Sequence, residues 1–396
     1  MTTTTTTDQA TARSLIPEDV GLIGRFLRGR IWYGAEWYIT VAGGGILALI
    51  VIITLLAPVM APFDPNEFVG APFTPPRGGP QALLARAGEN PELSLAELVA
   101  EEIPVGVLRN ANGVNVAKAL GMNRKRFQLK SEPFAALRNG EVDLILVDQD
   151  GLEETLAANP DLEVAEEQIG HVYWLGTDNL GRDITSRLIW GARTVLKVAF
   201  LSALLSSLIG VSVGLLSGYV GGPLDRTLSL VMDSIYSFPG LLLAIALAAM
   251  LGPGIINIAV AISVVYIPTF FRVVRGQVLS VKEELYVEAG RSLGATGLSI
   301  LTQYIFPNVI PSVVVVFSLN VADAILTEAG LSFIGLGLPP TIPDWGYDVS
   351  KGQQFLVAGR WWMITFPGVM ITLVATGFSL LGEGLSEILN PRLTEN

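Results

Sequence analysis

The 396-residue chain has no cysteine, so it forms no disulfide and offers no thiolate to a metal. Its single histidine, His171, removes most histidine-based metal sites and general-base schemes. Charge is scarce as well, at 15% of residues where a soluble domain carries about a quarter. The charge is also uneven. Residues 62–170 hold 18 acids against 9 bases, which accounts for most of the net −11. Nothing in this pattern points to nucleic acid. No Gly-x-x-x-x-Gly-Lys-[Ser/Thr] phosphate cradle occurs, so ATP hydrolysis is not expected of this chain itself.

Apolar residues make up half the sequence, and they come in long blocks such as Val51–Leu56, Val198–Leu216, Leu241–Leu251, Ile255–Val265, Val309–Val321 and Met363–Val374. A helix needs about 20 mostly apolar residues to span the hydrocarbon core, where every backbone group must be bonded internally. The blocks predict six spans, at 38–61, 195–218, 230–252, 255–275, 309–333 and 362–383. A large soluble core, or a sensor anchored by one or two spans, conflicts with that number of blocks. The expected fold is an all-α polytopic membrane protein of six transmembrane helices, with a small α/β extracytoplasmic insertion.

Arg25, Arg28 and Arg30 precede the first span and place the N-terminus in the cytoplasm by the positive-inside rule. Residues 1–37 are then a cytoplasmic tail, opening on a disordered threonine run, and 384–396 form a second cytoplasmic tail. Arg182, Arg187 and Arg193 fall on the outer side and run against the rule, but long external segments translocate largely regardless of charge. The block 171–194 is expected to form a surface elbow helix, with Leu188 and Ile189 towards lipid and Arg187 and Arg193 towards water.

Within 62–170, Pro65–Pro80 reads as a linker. Strands are expected at Ile103–Leu108, Phe127–Leu129, Val142–Val147 and Leu162–Ala165. Helices are expected near Val114–Leu120, Pro133–Asn139 and Gly151–Ala158. That alternation suggests an α/β layer.

The cytoplasmic loop 276–308 is the most informative segment. Leu285, Ala289 and Leu293 share one face of a short helix that also carries Glu284 and Glu288. Gly290 and Gly294 would admit another backbone, Gly297 would stop the helix, and Arg272, Arg275 and Lys282 flank it. Such a surface suits docking into a groove on a soluble partner. The spacing Glu288-Ala289-x-x-x-x-Gly294, closed by Pro307, resembles the EAA loop of permeases from ATP-binding-cassette importers. It departs from that pattern in having Gly290 where the family has alanine, at a helix cost of about 1 kcal/mol.

Further segments resemble the dipeptide/oligopeptide branch, and its C-type channel subunit in particular. They are Gly176-Thr177-Asp178 through Arg193, Ser237-Phe238-Pro239-Gly240, Leu326 through Gly337, Asp344-Trp345-Gly346 and Asn390-Pro391-Arg392. The likeness covers residues 20–66 and 171–393 and implies a type I ABC importer-like fold whose permease core spans 195–383. It implies a coupling helix (Glu284, Glu288, Ala289, Gly290, Gly294) that docks into an ATPase. It also implies a homologous permease as heterodimer partner, two ATPase subunits that bind ATP and Mg, and an extracytoplasmic solute-binding protein. The expected location is the inner (plasma) membrane, and the expected cargo is di- or oligopeptides, with nickel or glutathione as alternatives. The inserted domain departs from the family. Its element order resembles a fragment of a solute-binding lobe, and its candidate roles are docking the binding protein, capping the outer vestibule or plain scaffolding, with docking or capping ahead of independent substrate binding.

Asp323 and Glu328 lie in or near the fifth span, where a charge costs about 2.5–3.5 kcal/mol or more at the bilayer centre. Either can line a translocation path or bond helix to helix. Pro239 can act as a gate hinge or simply fix the bundle's shape. Asp233 reads as structural, and Gly43-Gly44-Gly45 as close helix packing. An ion-coupled secondary transporter is the rival class. It requires an inverted repeat around buried ionisable groups, and no convincing repeat is visible.

Overall fold

The computed structural model describes residues 22–88, 95–109 and 111–388. The threonine-rich tail 1–20 and Asn390-Pro391-Arg392 lie outside the described residues. Among the described residues, five helices are long and apolar enough to cross a membrane, or six if one pair bent by 89° counts as a single span.

Helix α1 (Leu22–Leu55) begins inside the segment read as a tail, and α2 (Ala57–Met60) follows it. The inserted domain comes next: β1 (Gln81–Arg86), α3 (Leu95–Ala100), β2 (Val105–Leu108), α4 (Asn112–Ala119), β3 (Arg124–Phe127), α5 (Glu132–Arg138), β4 (Leu144–Asp148), α6 (Leu152–Ala158) and β5 (Leu162–Ile169). Its five strands order as β3-β2-β4-β1-β5, with β2 parallel to β3 and β4, and β1 antiparallel to β4 and β5. Both faces of the sheet are buried. Along β1, Leu83 and Ala85 join one cluster with Val105, Val107 and Leu146, while Ala82 and Leu84 join another with Leu137 and Ile145.

The proline-rich stretch after α2 is a strap rather than a free linker. Val69 and Gly70 donate to the carbonyl of Gly181, Phe73 to that of Asp178 and Arg77 to that of Tyr173. Ala71 donates to the Asn112 side chain at the start of α4, and Thr177 Oγ1 donates back to the Ala71 carbonyl at 2.6 Å. Phe73 holds a left-handed φ of 64°, unusual for a bulky residue, and packs edge-on against Phe355 with ring centroids 4.8 Å apart. The inserted domain is thereby sutured to the end of the bundle.

The block expected to form a separate elbow is corrected. Residues 171–183 are loop, and α7 runs unbroken from Ile184 to Val220, with Asp183 accepting from Ser186 N at its start. Its 37 residues reach about 55 Å, so the first turns extend past the hydrocarbon core. Arg187 is buried rather than facing water, and so is Leu188. The reason is Asp348, whose carboxylate meets Arg187 Nη2 at 2.6 Å.

The third span is corrected too. Helix α8 (Gly222–Tyr236) starts before the span expected at 230–252, and α9 (Gly240–Leu251) follows a turn at Ser237-Phe238-Pro239. Pro239 does more than kink a continuous helix. Lacking an N–H and disfavouring the helical region in the residue before it, this proline breaks the helix outright. The 12 residues of α9 reach about 18 Å, too short to span alone.

Helix α10 (Ile255–Val281) packs along α7 through Gly210, Gly214 and Gly218. A Cβ at Gly210 would lie 2.7 Å from the Ile267 carbonyl, and one at Gly214 would lie 2.9 Å from that of Phe271. After α11 (Leu285–Ser292) and α12 (Gly297–Ser299), a π-helical turn (Ile300–Ile305) leads into α13 (Phe306–Ile334). Helix α14 (Trp345–Gln353) lies in the next connection, and α15 (Trp362–Ile388) closes the bundle against α1. Of the glycine tract in α1, only Gly43 serves close packing. A Cβ there would lie 2.7 Å from Leu381 N, whereas one at Gly44 or Gly45 would meet nothing within 4 Å among the described residues.

Candidate functional site

Helix α11 is fixed on one side and bare on the other. Val287 is fully buried among Val274, Val278, Ile300, Ile305 and Val309. Gly290 faces the ring of Tyr304, where a Cβ would lie 3.3 Å away, so it seats the helix on its own chain rather than on a partner's backbone. The opposite face carries Leu285, 80% exposed, and Leu293, 88% exposed, with Ala289 exposed between them. Glu284 and Glu288 are exposed beside that stripe.

The stop of this helix lies at Gly294, not Gly297. Gly294 takes φ 85° and donates to the Arg291 carbonyl, and Ala295 donates to that of Gly290 at 3.0 Å. This double closure needs a left-handed residue, which glycine adopts without strain. Gly297 instead begins the next turn, where Thr296 accepts from Ser299 N. The flanking cations are also redistributed. Arg275 binds Asp225 through two hydrogen bonds of 2.5 and 2.7 Å, and Arg272 pairs with Asp233 at 2.7 Å. Both tie α10 to α8, so they brace the platform beneath α11.

The membrane acids separate by environment. Asp323 is exposed on α13, one turn from Thr327, whose hydroxyl meets Tyr266 Oη at 2.8 Å. Glu328 is fully buried. One of its oxygens accepts from Ser332 Oγ at 3.0 Å, the same hydroxyl contacts Asp344, and its other oxygen has no hydrogen-bond partner among the described residues. Burial holds the Asp344 carboxyl above the usual carboxylate range. Pro239 is exposed at the α8–α9 break, and Gly240 beside it faces Val265 of α10.

Sequence reasoning singles out Asp344-Trp345-Gly346 without a physical role. Trp345 is fully buried and donates from Nε1 to the Leu188 carbonyl at 3.0 Å, fitting against Gly191. Gly346 abuts the Ala329 carbonyl, where a Cβ would lie 2.6 Å away. The motif locks α14 onto α7 and α13. Sequence reasoning misses Tyr266 and Asn320, and Asn320 is buried with neither end of its amide hydrogen-bonded to a described residue. Neither stands out in an apolar run by sequence.

The family described as binding-protein-dependent transport system inner membrane component matches residues 210–395. The chain is 42% identical over 221 residues to the glutathione transport system permease protein GsiD of Pectobacterium atrosepticum, covering 56% of this chain and 73% of that one. It is 38% identical over 221 residues to the dipeptide transport system permease protein DppC of Alkalihalophilus pseudofirmus, covering 56% and 72%. Among solved structures, the MetNI methionine ABC transporter aligns at 19% identity and a TM-score of 0.44, over 52% of this chain and 98% of that one. The chain belongs to the family of binding-protein-dependent transport system inner membrane components. It is a multi-pass membrane permease, and the inserted domain lies outside the residues that the family description matches.

Proposed function

We propose that the chain is a channel subunit of an ATP-binding-cassette importer for di- or oligopeptides, driven by ATP hydrolysis on separate subunits. The observation that carries this reading is the bare face of α11. Val287 and Gly290 root the helix in the bundle, while Leu285, Ala289 and Leu293 stand unpartnered beside Glu284 and Glu288. A rigidly rooted helix with an exposed apolar stripe transmits a push from a docked ATPase into α10 and the π-helical turn.

In this reading the chain is not an enzyme, and Mg and ATP belong to the ATPases. A homologous permease completes the channel, a solute-binding protein delivers the cargo, and both termini face the cytoplasm across the inner membrane. The inserted domain docks that binding protein or caps the vestibule, held in place by the strap. Asp323 lines the path, Pro239 marks the gate, and Glu328 acts through its bond network rather than by touching cargo in this conformation. Glutathione, itself a tripeptide, is the substrate named for one relative and is the second cargo to test.

The test is a mild-detergent pull-down from native membranes, with Glu288→Arg run beside the wild type. Co-purification of a second permease and cassette ATPases, with the ATPases lost from the variant, is the expected result. A wild-type chain that emerges alone or as a homo-oligomer overturns the reading.

A further inference from the structure

Two buried ion pairs meet at the end of the bundle that carries the inserted domain. Arg182 Nε binds Asp178 at 2.6 Å, and Arg187 binds Asp348 at 2.6 Å. They border a cleft shared with Asn179, Lys351, Met363 and Pro367. The cleft is shallow, with room inside it for about one water, 10 Å³, and it opens to its surroundings.

The donors and acceptors around this cleft do not balance. Asp178 already accepts from Arg182 Nε and the amides of Leu180 and Arg182, and Asp348 accepts from Arg187. Arg187 Nη1 turns to the Pro65 carbonyl at 3.2 Å. Arg182 is only 6% exposed, yet its two terminal amino groups hydrogen-bond no described residue. Lys351 Nζ likewise has no hydrogen bond among the described residues, only the Tyr347 ring at 5.4 Å. Among the residues that line the cleft, three cations face two carboxylates, which leaves a set of unused N–H donors. These donors open on the cleft and are free to bind an anion that enters it.

The rim identifies what accepts. Met363 and Pro367 belong to the first turns of α15, and Ile184 and Leu188 to those of α7, so the apolar side of the cleft is where two spanning helices start. Trp190, stacked by Arg193 at 5.1 Å, and the half-exposed Trp361 lie at the same ends of these helices. Tryptophan concentrates at the headgroup level of a bilayer.

We propose that this cleft binds the phosphate of a bilayer phospholipid, with Arg182 and Lys351 as its donors and the Met363–Pro367 side receiving the glycerol and upper acyl chain. Arginine and lysine donors at the ends of spanning helices match the charge and the acceptor oxygens of a lipid phosphate.

The test is native mass spectrometry of the full chain, delipidated in detergent and titrated with phosphatidylglycerol or, separately, with inorganic phosphate. The wild type is expected to retain one phosphatidylglycerol, and Lys351→Gln to bind it about fivefold more weakly, as for the loss of one cation at a membrane surface. Lys351→Arg restores binding, and an unchanged thermal midpoint in Lys351→Gln separates lost binding from lost fold. Arg182→Gln is the stronger variant, but Arg182 also braces its own loop, so Lys351 decides. Equal retention by wild type and Lys351→Gln overturns the proposal. Inorganic phosphate that binds the lipid-free chain through Lys351, where phosphatidylglycerol does not, overturns the lipid and leaves a free-anion site.

Discussion

The membrane bundle and the inserted domain bury their interiors by opposite means. In the bundle the closest contacts belong to small residues, with Gly210, Gly214 and Gly218 of α7 against the backbone of α10 and Gly43 against that of α15. Lipid offers helices no hydrophobic gain for associating, so contact must come from backbones approaching closely. In the inserted domain water drives burial, and the sheet's two faces fill with Leu83, Val105, Val107 and Leu144 on one side and Leu84, Leu137 and Ile145 on the other. Charges are treated oppositely as well. The bundle end buries the Arg187–Asp348 pair, whereas the inserted domain keeps Arg138–Asp161 and Lys125–Glu141 at its surface. Substitutions of one chemical kind should therefore have different effects in the two regions.

The largest effect is expected for Asp348→Ala, which leaves Arg187 buried without its partner. Breaking a buried pair from one side costs about 3–5 kcal/mol. The thermal midpoint of the solubilised chain should fall far more than for Lys125→Ala, whose pair is half exposed. Equal shifts would remove the contrast in charge burial. Next comes Leu144→Ala in the domain's core, at about 2–5 kcal/mol. Limited proteolysis should show residues 81–169 opening first while the bundle persists, and simultaneous loss of both would mean one cooperative unit. Gly214→Leu reverses the logic, because added bulk should do the damage. Overpacking costs about 1–3 kcal/mol, and here a Cβ already meets the Phe271 carbonyl at 2.9 Å. Poor membrane accumulation of Gly214→Leu, with normal accumulation of Gly44→Leu, would sharpen the comparison. Equal behaviour would deny the glycine stripe its role.

The same contrast explains what can be read from the sequence. Spans announce themselves by long apolar runs, so the helices around 195–218, 255–275, 309–333 and 362–383 are legible from composition. Strand β1 is not. Gln81-Ala-Leu-Leu-Ala-Arg86 is built of helix formers, and only its pairing with β4 and β5, more than half the domain away, makes it a strand. Arg187 reads as a headgroup contact because the acid that neutralises it is 161 residues distant. In α11 the outward Leu285, Ala289 and Leu293 are legible from four-residue spacing. The role of Gly290 is not, since its neighbour Tyr304 lies beyond a turn. Glu288 falls on the expected helix and Glu284 at its N-cap, and both are exposed, as four-residue spacing beside that stripe predicts. Asp323 and Glu328 are indistinguishable by sequence, and only the fold exposes one and seals the other.

The smallest effect is expected at the domain's exposed pair, and its pH dependence makes it informative. The hydrogen bond from Arg138 Nε, at 2.6 Å, holds the Asp161 carboxyl below its ordinary value of 3.8. A carboxylate whose pKa is depressed by folding adds stability above its unfolded pKa, and loses it as pH falls through the folded value. Arg138→Gln should therefore weaken protection of residues 81–169 slightly at neutral pH, read by hydrogen exchange of the intact chain. The gap to wild type should close as pH drops below about 3.8, and should shrink in high salt because both groups face water. A gap that ignores pH and salt would mean that the Arg138 stem acts by covering apolar surface, not by its charge. The inserted domain would then resemble the bundle more than its exposed ion pairs suggest, and the contrast would rest on side-chain size alone.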